Sequence, residues 1–184
     1  TDYNNQSCVS CFLTIGSEET LSVVKGTVVA GDVFGGANPT VAISTNGGAT
    51  ATLVETDGSG NYSTVVELTA DTPVIVWIDD APGVFGATVT VTSTAMIDLD
   101  IYQDQLIVRN DNVLVAPFEE MTNALLGTAD NGDSDIPYSV SGGNLTLTDN
   151  VELSIQSGHT FQPGGTITAY DIDINGKLIT ETND

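Results

Sequence analysis

The run Pro73-Val74-Ile75-Val76-Trp77-Ile78-Asp79, PVIVWID, is apolar at every interior position. Successive residues of a strand point to opposite faces, so Val74, Val76 and Ile78 share one face while Ile75 and Trp77 share the other. A strand apolar on both faces belongs inside a sheet with a packed layer on each side. This one run therefore predicts a central strand and a sheet covered twice.

The segments around it read the same way. Residues 19–30 (ETLSVVKGTVVA), 39–45 (PTVAIST), 50–56 (TATLVET), 61–68 (NYSTVVEL) and 87–93 (ATVTVTS) are rich in Val, Thr and Ile, and most alternate. Between them lie GDVFGGAN, NGGA, DGSG, ADT and DDAPGVFG, all turn chemistry. Short strands at this spacing predict an all-β fold, a sandwich or barrel.

From Ser141 the alternation becomes more regular. Leu145 and Leu147, Val151, Leu153 and Ile155, Ile167 and Ala169, Ile172 and Ile174, and Leu178 recur against Thr, Ser, Glu or Asp on the opposite face. Such rungs suit a meander, a second sandwich sheet or the turns of a short solenoid. No exact period repeats, which ranks a sandwich above a solenoid. One short helix is expected over residues 118–126, with Pro117 at its start, Glu119 and Glu120 in the first turn and Gly127 as the stop. Met121 and Leu125 would form its apolar stripe. The chain thus divides into residues 1–18, an extension and candidate donor strand; 19–93, an antiparallel β-sandwich; and 94–184, a second β-rich half.

Composition bounds the partners. Three basic residues, Lys25, Arg109 and Lys177, stand against 25 acidic ones in 184, for a formal net charge of -22. Nucleic acid and anionic membrane surfaces both require a basic footprint, so neither is expected. Divalent cations, or a saline medium, suit the charge better. No apolar run approaches the roughly 20 residues that span a bilayer. The start TDYNNQSC lacks the pattern of a signal peptide, so an exported chain would be read here in mature form.

Thr56-Asp57-Gly58-Ser59-Gly60-Asn61-Tyr62, with the upstream KGTVVAGDVFGGANPTVAIS, resembles the Ig-like, carboxypeptidase-regulatory type of β-sandwich over residues 21–80. In that family a TDxxGxY hairpin uses the aspartate and glycine to shape the turn and sends the aromatic side chain into the core. The resemblance implies a non-catalytic extracellular module and transfers no binding residues. The second half, from IDLDIYQDQLIVRNDN to LTLTDNVELSIQSGHTFQPGGTIT, is similar to modules of very large bacterial surface proteins and to the rungs of autotransporter-like passengers. That likeness implies display, adhesion or assembly at a cell surface.

Calcium takes six to eight oxygen ligands on a sharply turning loop. ADNGDSDIP, residues 129–137, offers Asp130, Asn131, Asp133 and Asp135, although its order is not that of an EF-hand. The competing reading is a solvated loop whose Asp and Asn side chains satisfy their own backbone. Asp98 and Asp100 on one face of MIDLDI, near Asp79 and Asp80, form a second candidate; Asp171 and Asp173 repeat the arrangement. Calcium is the one cofactor on offer. Cys8 and Cys11 in CVSC point to a disulfide, local or between subunits, more than to zinc or redox work. Sequons fall at Asn5, Asn61 and Asn144. No catalytic residue is assigned: His159 is alone, and nucleophile-elbow, zincin, P-loop and dinucleotide motifs are absent.

The expectation is an extracellular or cell-surface structural subunit that associates with itself into a filament, sheath or layer. SCFLTIG near the start and TITAYDIDINGKLIT near the end are the strands that could add to a neighbour's sheet. The alternative is an adhesin or carbohydrate-binding module whose partner is a glycan.

Overall fold

The computed structural model describes residues 20–29, 38–92, 96, 98–112 and 120–180. Cys8, Cys11, Asn5 and the candidate donor strand lie outside the described residues.

Strand β5 (Pro73–Asp79) does what its sequence demands. It pairs antiparallel with β2 (Thr40–Thr45) and β6 (Ala87–Val91), and β3 (Thr52–Glu55) closes that side as an edge. One face of β5 sends Val74, Val76 and Ile78 into a core with Val41 and Ile43. The covering layer is a second sheet of β4 (Asn61–Leu68), β1 (Thr20–Val29) and β7 (Ile101–Tyr102), which contributes Val24, Val28, Tyr62, Val66, Leu68 and Ile101. The other face sends Ile75 and Trp77 into a separate core. Trp77 sits opposite Ala42 on one neighbour and Ala87 on the other. Two small side chains beside one large one make room for the indole.

The turn between β3 and β4, which carries the chain from one sheet to the other, has a local cause. The Asp57 carboxylate accepts from the Ser59 N–H at 2.8 Å and the Asn61 N–H at 2.9 Å, and Gly60 takes a φ of 81° that other residues rarely adopt. These bonds, the Asn61 side chain first, hold the Asp57 carboxyl below its ordinary range. Tyr62 then enters the core and donates from its hydroxyl to the Leu99 carbonyl at 2.5 Å.

Beyond β6 the same sheet continues in parallel through β8 (Gln105–Val108), β11 (Glu152–Ile155) and β14 (Asp171–Ile174), giving seven strands. Register aligns Ala87, Leu106, Leu153 and Ile172 in one column and Val89, Val108, Ile155 and Ile174 in the next. The chain between these rungs builds two further walls. The hairpin of β9 (Tyr138–Ser141) and β10 (Asn144–Leu147) receives β13 (Ile167–Thr168) in parallel, while β12 (Thr160–Phe161) pairs in parallel with β15 (Lys177–Leu178) and bridges to Met121. Three walls around one apolar interior give the second half the form of a short solenoid, one of the forms expected for it, beside the sandwich of the first half. The period was hidden because the first turn carries the helix and the β9–β10 hairpin, so the step from Leu106 to Leu153 is more than twice that from Leu153 to Ile172.

The helix also differs from expectation. It is α1 (Asn123–Ala129), starting later and running through Gly127. Thr122 caps it, accepting from the Leu125 N–H at 3.2 Å, and Met121 is held outside by its bridge to Phe161. Gly127 does not stop the helix; a Cβ there would come within 3.2 Å of Val140, so glycine lets the helix approach β9 closely. Leu126 and Ala129 then join Ala42, Ile75, Trp77, Leu106, Tyr138, Leu153 and Phe161 in a single cluster. The two halves share this core.

Candidate functional site

The acidic residues regroup in the fold. Strand β5 ends at Asp79, and the loop after α1 folds back across it. There Asp79, Asp133 and Asp135 place one carboxylate oxygen each within 4.8 Å of one another. The loop is held as a ladder of side-chain turns: Asp130 accepts from the Gly132 N–H at 2.8 Å, Asn131 from the Asp133 N–H at 3.1 Å and Asp133 from the Asp135 N–H at 2.9 Å. Asp135 also accepts from the Asp80 N–H at 2.7 Å, which ties the loop to the strand end. Asp130, Asn131 and Asp133 therefore each accept from their own backbone, as the competing reading of this loop expects, and Asp133 and Asp135 also converge on Asp79. Sequence proximity sets Asp79 near Asp98, whereas the fold groups it with Asp133 and Asp135.

Asp98 and Asp100 do not share a strand face. Residues 98–100 are irregular, and Asp98 adopts a φ of 56°. The physical reason is a set of long-range bonds: Asp100 accepts from the Thr27 N–H at 2.8 Å, and the Asp98 carbonyl accepts from Arg109 Nη1 at 2.6 Å. Both still line one open hollow with Lys25, Asp57 and Asn61. Arg109 is paired in turn with Asp111.

Burial, then Asp80, Asp133 and Asp135, push the Asp79 carboxyl above its ordinary range. The Trp77 indole N–H eases it downward from a distance, since the buried Nε1 meets no acceptor in hydrogen-bond geometry. An acid with a raised pKa binds its proton more readily in the folded state. Its ionisation therefore opposes folding at neutral pH, and stability is regained as pH falls toward the ordinary value of 3.8. Asp79→Asn in chelator at pH 7 is expected to raise the thermal midpoint by about 1–2 °C, the scale of a screened charge, and to flatten its acid side. A lowered midpoint would show that Asp79 is held by favourable partners instead.

The remaining candidates are structurally occupied. Asn61 donates to Asp57 through Nδ2 at 3.1 Å, and Asn144 accepts from the Thr166 hydroxyl at 2.7 Å; both are exposed. His159 Nδ1 lies 3.0 Å from both the backbone nitrogen and the carbonyl oxygen of Asn110, pinning the β11–β12 turn to the chain after β8. Its burial, then Arg109, lowers its pKa and favours the neutral ring. Asp171 and Asp173 face outward on β14 beside Glu152, whose pKa is raised by burial, Asp173 and Asp171.

No protein-family model matches the chain, and no curated protein matches it. Among solved structures it is similar to the C-terminal fragment of the pilus adhesin SpaC from Lactobacillus rhamnosus GG, at 12% identity and a TM-score of 0.29. That match covers 53% of this chain and 47% of the fragment. Among the described residues no helix is long and apolar enough to cross a membrane.

Proposed function

We propose that this chain is an extracellular structural subunit, non-catalytic, that assembles with its own copies into a filament, sheath or layer and is stabilised by divalent cations. The observation that carries the reading is the pair of open ends of the seven-stranded sheet. Among the described residues β3 and β14 each pair on one side only, and Leu53, Ile172 and Ile174 are exposed beside those edges. An unpaired edge with apolar neighbours is a template for another strand, and isolated domains ordinarily blunt it. The small sheet adds an outward apolar patch of Leu21, Val23 and Val65.

Charge sets the condition for assembly. A net charge of -22 per subunit repels copies, so counter-ions must gather as they pack. Asp79, Asp133 and Asp135 suit calcium in donor type: hard carboxylate oxygens on a turning loop, with no basic residue in the described stretch 120–135. Calcium there would bridge the strand end to the loop and relieve the repulsion that raises Asp79. Negative-stain microscopy and sedimentation, with calcium and with chelator, test the reading. Ordered polymers that thin out in chelator are expected; monomers under every condition would sink it.

A second reading, a glycan-binding module, has one observation in its favour. Tyr170 is 74% exposed over a hollow lined by Asp149, Asn150 and Thr168, an aromatic face beside polar groups. Monomers that bind glycans, and lose them on Tyr170→Ala, would favour it.

A further inference from the structure

Resting on the self-assembly reading, we propose that β14 is an acceptor rung, and that residues 12–15 (FLTI) of a second copy add to it as the next parallel rung of the solenoid.

The rungs of this wall repeat one design. Each has two inward aliphatic positions two residues apart: Leu106 and Val108, Leu153 and Ile155, Ile172 and Ile174. The first two pairs are fully buried, with no side chain more than 1% exposed, because another rung covers them. Ile172 and Ile174 are 38% and 49% exposed. At the inward positions chemistry does not distinguish the third rung from the others; only its place in the stack does. Solenoids that end in solvent finish on a polar capping rung, and β14 is built as an interior one. Its Ile172 N–H donates to the adjacent Asp171 carboxylate at 2.8 Å, a local bond that an incoming carbonyl can replace.

The sequence of the occupant follows from the register. The rungs read Gln-Leu-Ile-Val, Glu-Leu-Ser-Ile and Asp-Ile-Asp-Ile, and Phe12-Leu13-Thr14-Ile15 continues them, with Leu13 over Ile172 and Ile15 over Ile174. The outward face already holds Glu152, Asp171 and Asp173. Phe12 and Thr14 add no charge to it, whereas an edge such as β3 would bring Glu55.

The contact must form between copies. Strand β1 packs over β2 and β5, and the new rung lies five places from β5 in the sheet. At about 4.8 Å per strand and about 10 Å between layers this is roughly 26 Å. From Thr20 back to Ile15 the chain reaches at most about 18 Å. One copy's donor in another's acceptor is a head-to-tail contact, which grows a filament wherever its rotation does not close a ring.

Two double variants test this, in reducing agent so that Cys8 and Cys11 cannot cross-link copies. Ile172→Lys/Ile174→Lys removes the acceptor at positions already open to solvent, and Leu13→Lys/Ile15→Lys removes the donor. Each alone is expected to be monomeric by sedimentation where the unaltered protein polymerises. Mixed in equal amounts they should form a dimer and nothing larger, because each supplies the end the other lacks. A synthetic peptide of residues 8–19 with serine for both cysteines should halt growth of the unaltered protein, which keeps the test open even if a variant fails to fold. Undiminished polymers from either folded variant, a mixture that stays monomeric, or indifference to the peptide would overturn the donor rung while leaving self-assembly standing. An unaltered protein that never polymerises would remove both.

Discussion

Replacing Trp77 with alanine is expected to destabilise the protein by about 3–5 kcal/mol, near the largest cost a single core truncation carries. The indole is fully buried, and its neighbours across the sheet are Ala42 and Ala87. Neither alanine can swing into the space, and the ladder bonds to β2 and β6 keep the backbone from closing it. The void would lie where α1, β9–β10 and the rungs meet the sheet, so the loss falls on the core that both halves share. For a chain of this length the midpoint should drop by roughly 6–20 °C. Ile78→Val, on the other face of the same strand, is the matched control at about 0.5–1.5 kcal/mol. Urea unfolding followed by far-UV circular dichroism measures both; a cost below about 1 kcal/mol for Trp77→Ala would mean that the two layers do not close on the indole.

The contrast between those faces explains what the sequence made legible. PVIVWID revealed a central strand because burial on two faces leaves its mark within one strand. The Asp57–Asn61 turn was legible for a similar reason, since its bonds span at most four residues, although the strands it joins lie in different sheets and form no hairpin. The solenoid was harder: its columns repeat the same residues, but the chain between columns varies in length, and periodicity along the sequence records length. Pro117, Glu119 and Glu120 signalled a helix start that Thr122 and the Met121–Phe161 bridge override. That bridge is a tertiary contact with no local signature. The acidic site failed in the same manner, because Asp79 and Asp135 meet only when the loop docks through the Asp80 N–H. Local chemistry named Asp133 and Asp135, and only packing could supply the third carboxylate.

Leu153→Ala tests whether the shared core makes the molecule unfold as one. Leu153 is fully buried in β11, between Leu106 and Ile172 in its column, so its truncation should cost about 2–5 kcal/mol. The only tryptophan, Trp77, lies three strands away on β5 and belongs to the same cluster. If the solenoid and the sandwich were separate folding units, a lesion in a rung would shift the circular-dichroism transition in part and leave Trp77 fluorescence where it was. Because β6 joins β5 on one side and β8 on the other, loss of the rungs strips one neighbour from the strand that flanks Trp77 and opens the indole's face to water. Both signals should therefore shift together, to the same lower urea midpoint and with unchanged slope. Two separated transitions, with fluorescence holding its original midpoint, would divide the chain into independent halves and remove the structural link between the solenoid end and the sandwich.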